Sequence, residues 1–323
     1  MPARSKSETL ITVYGGSGFL GRHAVRALAK RGYRIRVAVR RPDLANHLQP
    51  LGRVGQIHAV QTNVRHPQSV EAAARDADVL VNLVGILAES GRQRFDAVHA
   101  AAADAVAQAA SARGARLVHV SAIGADANSP ARYARTKAAG ERLALSAVPL
   151  ATIMRPSILF GPEDTFFNRF ASMARMLPAL PLIGGGETRF QPVFVGDVAE
   201  AIAKAVDGET RGGTVYEFGG PEVKTFKELM QFVLATIERR RLLIPLPFPI
   251  ARLQAMFLQY LPGAPLTPDQ VELLRRDNVV SESARTERRA LQGLGIEPEP
   301  IAAIVPTYLW RFRRAGQFRG RLA

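Results

Sequence analysis

Across the first half of the chain, short β-branched and aliphatic runs alternate with Ala-rich stretches whose apolar positions recur at helical spacing. Leu10 to Tyr14, Ile35 to Val39, Ile57 to Thr62, Val79 to Leu83, Leu117 to Ser121 and Ala151 to Arg155 read as strands. Gly21 to Arg31, Pro67 to Ala74, Phe95 to Arg113 and Ala131 to Leu145 read as the helices between them. This alternation builds βαβ units, so it predicts an α/β fold with a doubly wound parallel sheet and a ligand crevice at the carboxyl ends of the strands.

After Pro156 the rhythm breaks, with prolines at 162, 178, 181 and 192 and a Gly184-Gly185-Gly186 turn. The expected division is a nucleotide-binding core over residues 1–156. Residues 157–323 then form a smaller, irregular C-terminal cap over the crevice, which also supplies part of the core sheet and a basic attachment segment. Asp197 to Val206 reads as a helix N-capped by Asp197, and Thr225 to Glu238 as a helix opened by a Thr225/Glu228 capping box. Arg239-Arg240-Arg241 precede ten uncharged residues, Leu242 to Ala251, which three prolines keep from forming a regular helix. This basic, apolar run and the final tail suit attachment to an anionic membrane or partner subunit; the alternative is that the run packs under the cap with its arginines solvated.

With 47% hydrophobic and 22% charged residues over 323 positions, disorder and fibre are excluded. Lys+Arg 43 against Asp+Glu 28 gives a formal charge of +15, and the Arg-rich, Lys-poor composition suits a GC-rich bacterial coding sequence. Placement says more than the total. Eight basic residues and no acid lie between Arg22 and Arg41, and the last 23 residues hold five arginines and no acid. Anionic partners follow: a phosphate cofactor, a phospholipid surface or an acidic protein face. Aromatics do not interleave with the arginines, which argues against nucleic acid. Zero cysteines exclude disulfides and thiolate chemistry, and the six histidines show no metal-ligand spacing. Met1 to Thr9 has no signal-peptide character, and the longest uncharged stretch, Leu253 to Pro268, is too short and proline-rich to span a bilayer. The chain is therefore expected to stay in the cytoplasm, with any membrane attachment peripheral.

Between the first strand and first helix stands Gly15-Gly16-Ser17-Gly18-Phe19-Leu20-Gly21-Arg22, the place where a Rossmann-type fold needs a phosphate-binding turn. Gly15 and Gly16 permit the tight turn, Gly18 lets backbone approach a pyrophosphate, Gly21 permits close helix packing, and the helix N-terminus faces the anion. At the end of the second strand, where a carboxylate would bind the ribose hydroxyls of NAD, stand Arg40 and Arg41. A guanidinium pairs with a 2′-phosphate, and Arg22 is a second candidate, so NADPH is the expected cofactor.

Ser121 places a hydroxyl at the end of the fifth strand, and Tyr133 and Lys137 follow at i and i+4 on one helix face. In reductases such a set moves a proton: the Tyr is acid or base, the Lys lowers its pKa and holds the ribose, and the Ser orients the carbonyl. The same Lys can hold a nucleotide in a protein that never turns over.

Through these residues, Asn82-Leu83-Val84-Gly85 and Arg155-Pro156, the chain resembles the atypical and extended short-chain dehydrogenase/reductases. Within them it is most similar to the nucleotide-binding accessory subunits of respiratory complex I. The stretches that carry this are Gly15 to Arg22, Tyr133 to Glu141, Arg155 to Asp164, Phe170 to Met173 and Gln191 to Val198, and the similarity covers residues 9–237 well and the tail loosely. It implies tightly held NADPH, no demonstrated turnover, and a seat among the peripheral-arm subunits of complex I close to the membrane, which for a bacterial chain is a peripheral location on the cytoplasmic face of the inner membrane. The candidate cofactor-binding set is Gly15, Gly16, Ser17, Gly18, Phe19, Leu20, Gly21, Arg22, Arg40, Arg41, Asn63, Val64, Leu83, Val84, Gly85, Tyr133, Lys137 and Pro156. Ser121, Tyr133 and Lys137 form the candidate catalytic set, and no metal is expected. Because that set is intact, a free-standing NADP-dependent reductase or epimerase/dehydratase is the alternative, with an NADPH-sensing regulator behind it.

Overall fold

The structure is a computed structural model that describes residues 5–261, 264–314 and 316. The chain forms two compact units. The first comprises the N-terminal side up to Pro156, Gly196–Glu217 and Glu282–Ile296; the second comprises Ser157–Val195, Phe218–Ser281 and the chain from Glu297 onward.

The first unit is built on the predicted parallel sheet. Its strands are β1 (Leu10–Tyr14), β2 (Arg34–Val39), β3 (Ile57–Gln61), β4 (Val79–Asn82), β5 (Arg116–Val120), β6 (Thr152–Pro156) and β7 (Val215–Phe218), in the spatial order β7-β6-β5-β4-β1-β2-β3. The pairs among β1 to β6 run parallel, with Val13 opposite Val37 and Val81. The strand order reverses between β1 and β4, and in such sheets the crevice at that reversal takes the ligand. β7 was not legible in the sequence; it joins the β6 edge, where the Ile153 amide donates to the Thr214 carbonyl at 3.0 Å. Residues 62, 83 and 121, read as strand ends, fall one position beyond their strands.

The helices are α1 (Phe19–Lys30), α2 (Pro67–Ala74), α3 (Ala102–Ser111), α4 (Arg132–Ala147) and α5 (Val195–Asp207). Val70, Ala73, Ala74, Val106, Ala110 and Ala144 of α2, α3 and α4 bury against Tyr14, Leu80, Leu117 and Ile153 of the sheet. Small alanines let those helices lie close. The predicted helix from Phe95 opens as a π turn, Asp96–Ala101, before α3. There α4 approaches so closely that a Cβ on Gly140 would sit 2.3 Å from the His99 carbonyl oxygen. The expectation that Asp197 caps α5 is corrected, because that helix starts two residues earlier and Asp197 lies in its first turn, where a negative charge favours the positive dipole end. Asp207 at its far end accepts from Arg31 Nε at 2.7 Å and from Tyr33 Oη and Lys6 Nζ at 2.6 Å, joining α5 to the end of α1.

The second unit is mixed. Phe166, Phe167, Phe170, Phe190 and Phe226 meet largely edge to face around the helices Phe167–Met176 and Phe226–Thr236. The Thr225/Glu228 capping box is present, with the Glu228 amide donating to Thr225 Oγ1 at 3.2 Å. Asp164 is buried, accepts from the Asn168 amide at 3.2 Å and from Tyr308 Oη, and is a packing residue of this unit. The run after Arg241 departs from expectation. Leu242–Leu246 is a strand parallel to Ala179–Ile183, and Phe248–Leu258 is a regular helix, α6. Prolines 247 and 249 fall at its N-cap and first turn, where a missing amide costs no hydrogen bond, so they start the helix instead of breaking it. No described helix is long and apolar enough to cross a membrane. Met1 to Arg4, part of the Leu253 to Pro268 stretch at Pro262 and Gly263, and the tail's Arg319 and Arg321 lie outside the described residues.

Candidate functional site

At the sheet reversal the chain leaves β1 through Gly15, whose φ of +79° only glycine adopts without strain. The Gly18 amide donates to the Gly15 carbonyl at 3.1 Å, and Gly18 caps α1 in an extended conformation with no side-chain cap. The first-turn amides of α1, which begins at Phe19 and Leu20, therefore have no side-chain acceptor at the cap, and no acid occupies that turn. A Cβ on Gly21 would lie 2.3 Å from the Gly15 carbonyl oxygen and 2.6 Å from Gly16 Cα, and one on Gly16 would lie 2.7 Å from Val37 Cγ1. Glycine at 16 and 21 thus closes a tight turn over the helix end. Ser17 is half-buried and Gly18 exposed, so backbone is left facing outward. The turn also meets the loop after β4, since a Cβ on Gly15 would touch Leu83 and the Val84 amide at 3.3 Å.

Lys137 projects from α4 to the ends of β4 and β5. Its Nζ donates to the Val120 carbonyl at 3.4 Å, and a Cβ on Gly85 would lie 3.2 Å from it. Burial pushes its pKa down to about 8, against the raising effect of Glu141. Glu141 is held bidentately by Arg155, at 2.8 and 2.6 Å, and the Lys137 ammonium forms no ion pair among the described residues. Such a cation suits hydroxyls or an anion supplied by a ligand. Ser121, just past β5, is buried and its Oγ has no hydrogen-bond partner among the described residues, and the same holds for Thr62 Oγ1 past β3. Tyr133 is half-buried on the same face of α4 and meets edge to face the stacked rings of Phe95 and His99, at 5.8 and 5.2 Å.

Two histidines that sequence spacing did not connect are brought to this place. The Val84 amide donates to Asn82 Oδ1, which turns the Asn82 amide group toward His119 Nδ1 at 3.1 Å. The Ile86 amide donates to His99 Nε2 at 3.1 Å, and His99 Nδ1 meets Thr136 Oγ1 at 3.1 Å, whose hydroxyl donates to the Tyr133 carbonyl. Each histidine therefore presents an acceptor nitrogen to a donor that cannot reverse. Burial first, then the Lys137 charge, lowers both pKa values to about 3. They are neutral struts: His99 ties the loop after β4 to the turn of α4 that carries Tyr133 and Lys137. No pattern in the sequence signals this, since residues 82, 99, 119 and 136 meet only through the crossover connections.

At the end of β2, Arg40 is exposed and makes no hydrogen bond or ion pair among the described residues, and Arg41 meets Asp43 at 3.0 Å on the surface. The basic run around them is partly structural. Arg36 donates to the Ala73 carbonyl at 2.9 Å, and Arg31 binds Asp207 and Glu200. Arg22 lies half-buried on α1. Asn63 turns its side-chain oxygen onto the Arg65 amide at 3.2 Å, Val64 packs against the helical layer, and Pro156 closes β6 and accepts from the Ile123 amide at 3.0 Å. Among the described residues no cluster of three or more histidine or acidic side chains is arranged to hold a metal.

A glycine turn closed over a helix end and, among the described residues, a lysine without an ion pair and a serine hydroxyl without a partner fit a phosphorylated nucleotide. Residues 11–219 match the model of the NAD dependent epimerase/dehydratase family. The chain belongs to that family. Within the epimerase/dehydratase family it is similar to NADH dehydrogenase (ubiquinone) 1 alpha subcomplex subunit 9, mitochondrial, of Arabidopsis thaliana, with 36% identity over 97% of this chain and 80% of that one. The mitochondrial NADH-ubiquinone oxidoreductase 40 kDa subunit of Neurospora crassa is 31% identical over 94% of this chain and 79% of its own. Among solved structures, an Escherichia coli NADPH-dependent quinone oxidoreductase complexed with NADPH superposes with a TM-score of 0.73 at 19% identity, over 93% of this chain and 99% of that one. At that identity the likeness establishes the fold, which is the Rossmann-type α/β fold read from the strand pattern.

Proposed function

We propose that this epimerase/dehydratase family member is an accessory subunit of an NADH:ubiquinone oxidoreductase, holding NADPH as a resident nucleotide. Its partners are peripheral-arm subunits, and its seat is peripheral to the membrane that carries the complex. The observation that carries this is the 36% identity with the Arabidopsis subunit over 97% of the chain. The site supports the nucleotide half of the reading: the Gly15 to Gly21 turn and the α1 amides would take the pyrophosphate, Lys137 the ribose hydroxyls, and Arg40, with Arg41 and Arg22 nearby, a 2′-phosphate. The remaining contacts would come from Asn63, Val64, Leu83, Val84, Gly85 and Pro156 at the strand ends. A nicotinamide nucleotide supplies hydride donation or acceptance when bound. On this reading the chain's residues supply binding; a proton from Tyr133 belongs to the enzymatic alternative.

Comigration with complex I on a native gel of detergent-solubilised membranes, together with NADPH released by acid from the purified protein, tests the reading. Migration with free soluble proteins would overturn it. The buried Ser121 Oγ, unpartnered among the described residues, favours a second reading, a free-standing NADP-dependent reductase or epimerase/dehydratase. On that reading a Tyr133→Phe variant keeps its nucleotide and loses a measurable NADPH-oxidising activity; on the first there is no such activity to lose.

A further inference from the structure

α6 is apolar on both sides. Ala251 and Ala255 face inward and are fully buried, whereas Ile250, Leu253 and Phe257, at i, i+3 and i+7, point outward and are 49%, 58% and 70% exposed. Tyr260, just past the helix, is 83% exposed. The strand before the helix continues the surface: Leu242 and Ile244 are exposed while Leu243 between them packs on the unit's core. A contiguous exposed apolar stripe of this kind marks an interaction surface.

The surrounding charge says what covers it. From Arg239 to Pro268 there is no Asp or Glu, and there are four arginines. Arg239 lies in the field of Arg241, Arg314 and Arg175, and burial together with these like charges lowers its pKa. Glu238, the neighbouring carboxylate, is taken by Arg313 at 3.4 Å. A set of crowded cations is held at a cost that an anionic surface relieves. Pro245 interrupts the amide ladder of the exposed strand, which disfavours the addition of a partner's strand along that edge.

We propose that this face docks on an anionic phospholipid bilayer, with the outward stripe of α6 at the headgroup boundary and the arginines against the lipid phosphates. The inference uses residues of the second unit alone, so it stands or falls separately from the nucleotide reading.

Flotation of the full chain with vesicles of phosphatidylglycerol and phosphatidylcholine, and with phosphatidylcholine alone, tests it. The protein floats with the anionic vesicles at low salt, and the bound fraction falls about tenfold in roughly 0.5 M salt. An Arg240→Ser/Arg252→Ser variant partitions roughly thirtyfold more weakly, about fivefold for each arginine. A Leu253→Glu/Phe257→Glu variant, whose changed positions face outward and whose circular dichroism and thermal midpoint stay those of the parent, no longer floats. Absence of binding at low salt overturns the proposal, as does undiminished binding of the double glutamate variant. A dimer in sedimentation velocity that this variant splits also overturns it, because a second copy would then cover the face.

Discussion

Acidification from pH 7 to 5 should destabilise the first unit through its buried His99 and His119. Both histidines are neutral in the fold with pKa values of about 3, against about 6.5 in the unfolded chain. A depressed histidine pKa leaves its stabilising contribution intact above about pH 6.5 and removes it as pH falls, because only the unfolded chain takes up the proton. Each histidine then costs about 1.4 kcal/mol per pH unit, which is about 2 kcal/mol at pH 5 and about 4 kcal/mol for the pair. That is a large share of the roughly 5 to 15 kcal/mol that holds a domain together. Asp164, whose pKa burial raises, works in the opposite sense, and Asp207 and Asp277, whose pKa values their cationic and hydrogen-bonding partners lower, lose stability only at lower pH. Urea unfolding followed by far-UV circular dichroism at pH 7, 6 and 5 measures the slope, and a His99→Asn or His119→Asn variant shows about half of it, whatever its starting stability. Equal free energies at pH 7 and 5, or full slopes in both variants, would refute the assignment of buried neutral struts.

Three further outcomes follow from the site. Arg40→Asp weakens NADPH binding by about 1 to 3 kcal/mol with little effect on NADH, measured by calorimetry; equal losses for both nucleotides would remove Arg40 from the 2′-phosphate. Gly21→Ala forces the turn open against backbone atoms, costs about 1 to 3 kcal/mol of stability and yields protein that loses its nucleotide on gel filtration; retention at parental stoichiometry would show that the turn does not cradle phosphates. Lys137 loses its proton as pH rises through about 8, so NADPH affinity falls by up to ~10-fold between pH 8 and 9, whereas the stability of the nucleotide-free protein rises over the same range because a buried charge disappears. A Lys137→Met variant loses that pH dependence.

The parallel strands were legible because each is a short run bounded by helix or turn signals, and all six predicted strands agree with the structure within one residue at either end. The glycine turn and the Tyr133/Lys137 pair were legible because their geometry is local: a strand-to-helix turn, and one helical turn. What stayed hidden is long-range. Val215–Phe218 is too short to announce itself and becomes a strand only against β6. Asp197 looked like a cap because its position relative to the helix start depends on how Val193 and Phe194 pair with Leu159 and Phe160. The histidines gave no spacing signal, because Asn82 and His119 become neighbours through the register of β4 on β5.

The first unit is assembled from three separated stretches of chain. At the outer edge of its sheet, the Glu217 amide donates to the Arg289 carbonyl at 2.9 Å and Arg289 Nη1 donates to the Val215 carbonyl at 2.7 Å. During vectorial synthesis the ribosome must therefore deliver the chain as far as Arg289, more than seventy residues beyond β7, before that edge can be sealed. A nascent chain stalled earlier, or a gene shortened from its 3′ end, leaves β7 without Arg289 and the sheet flank open to other chains.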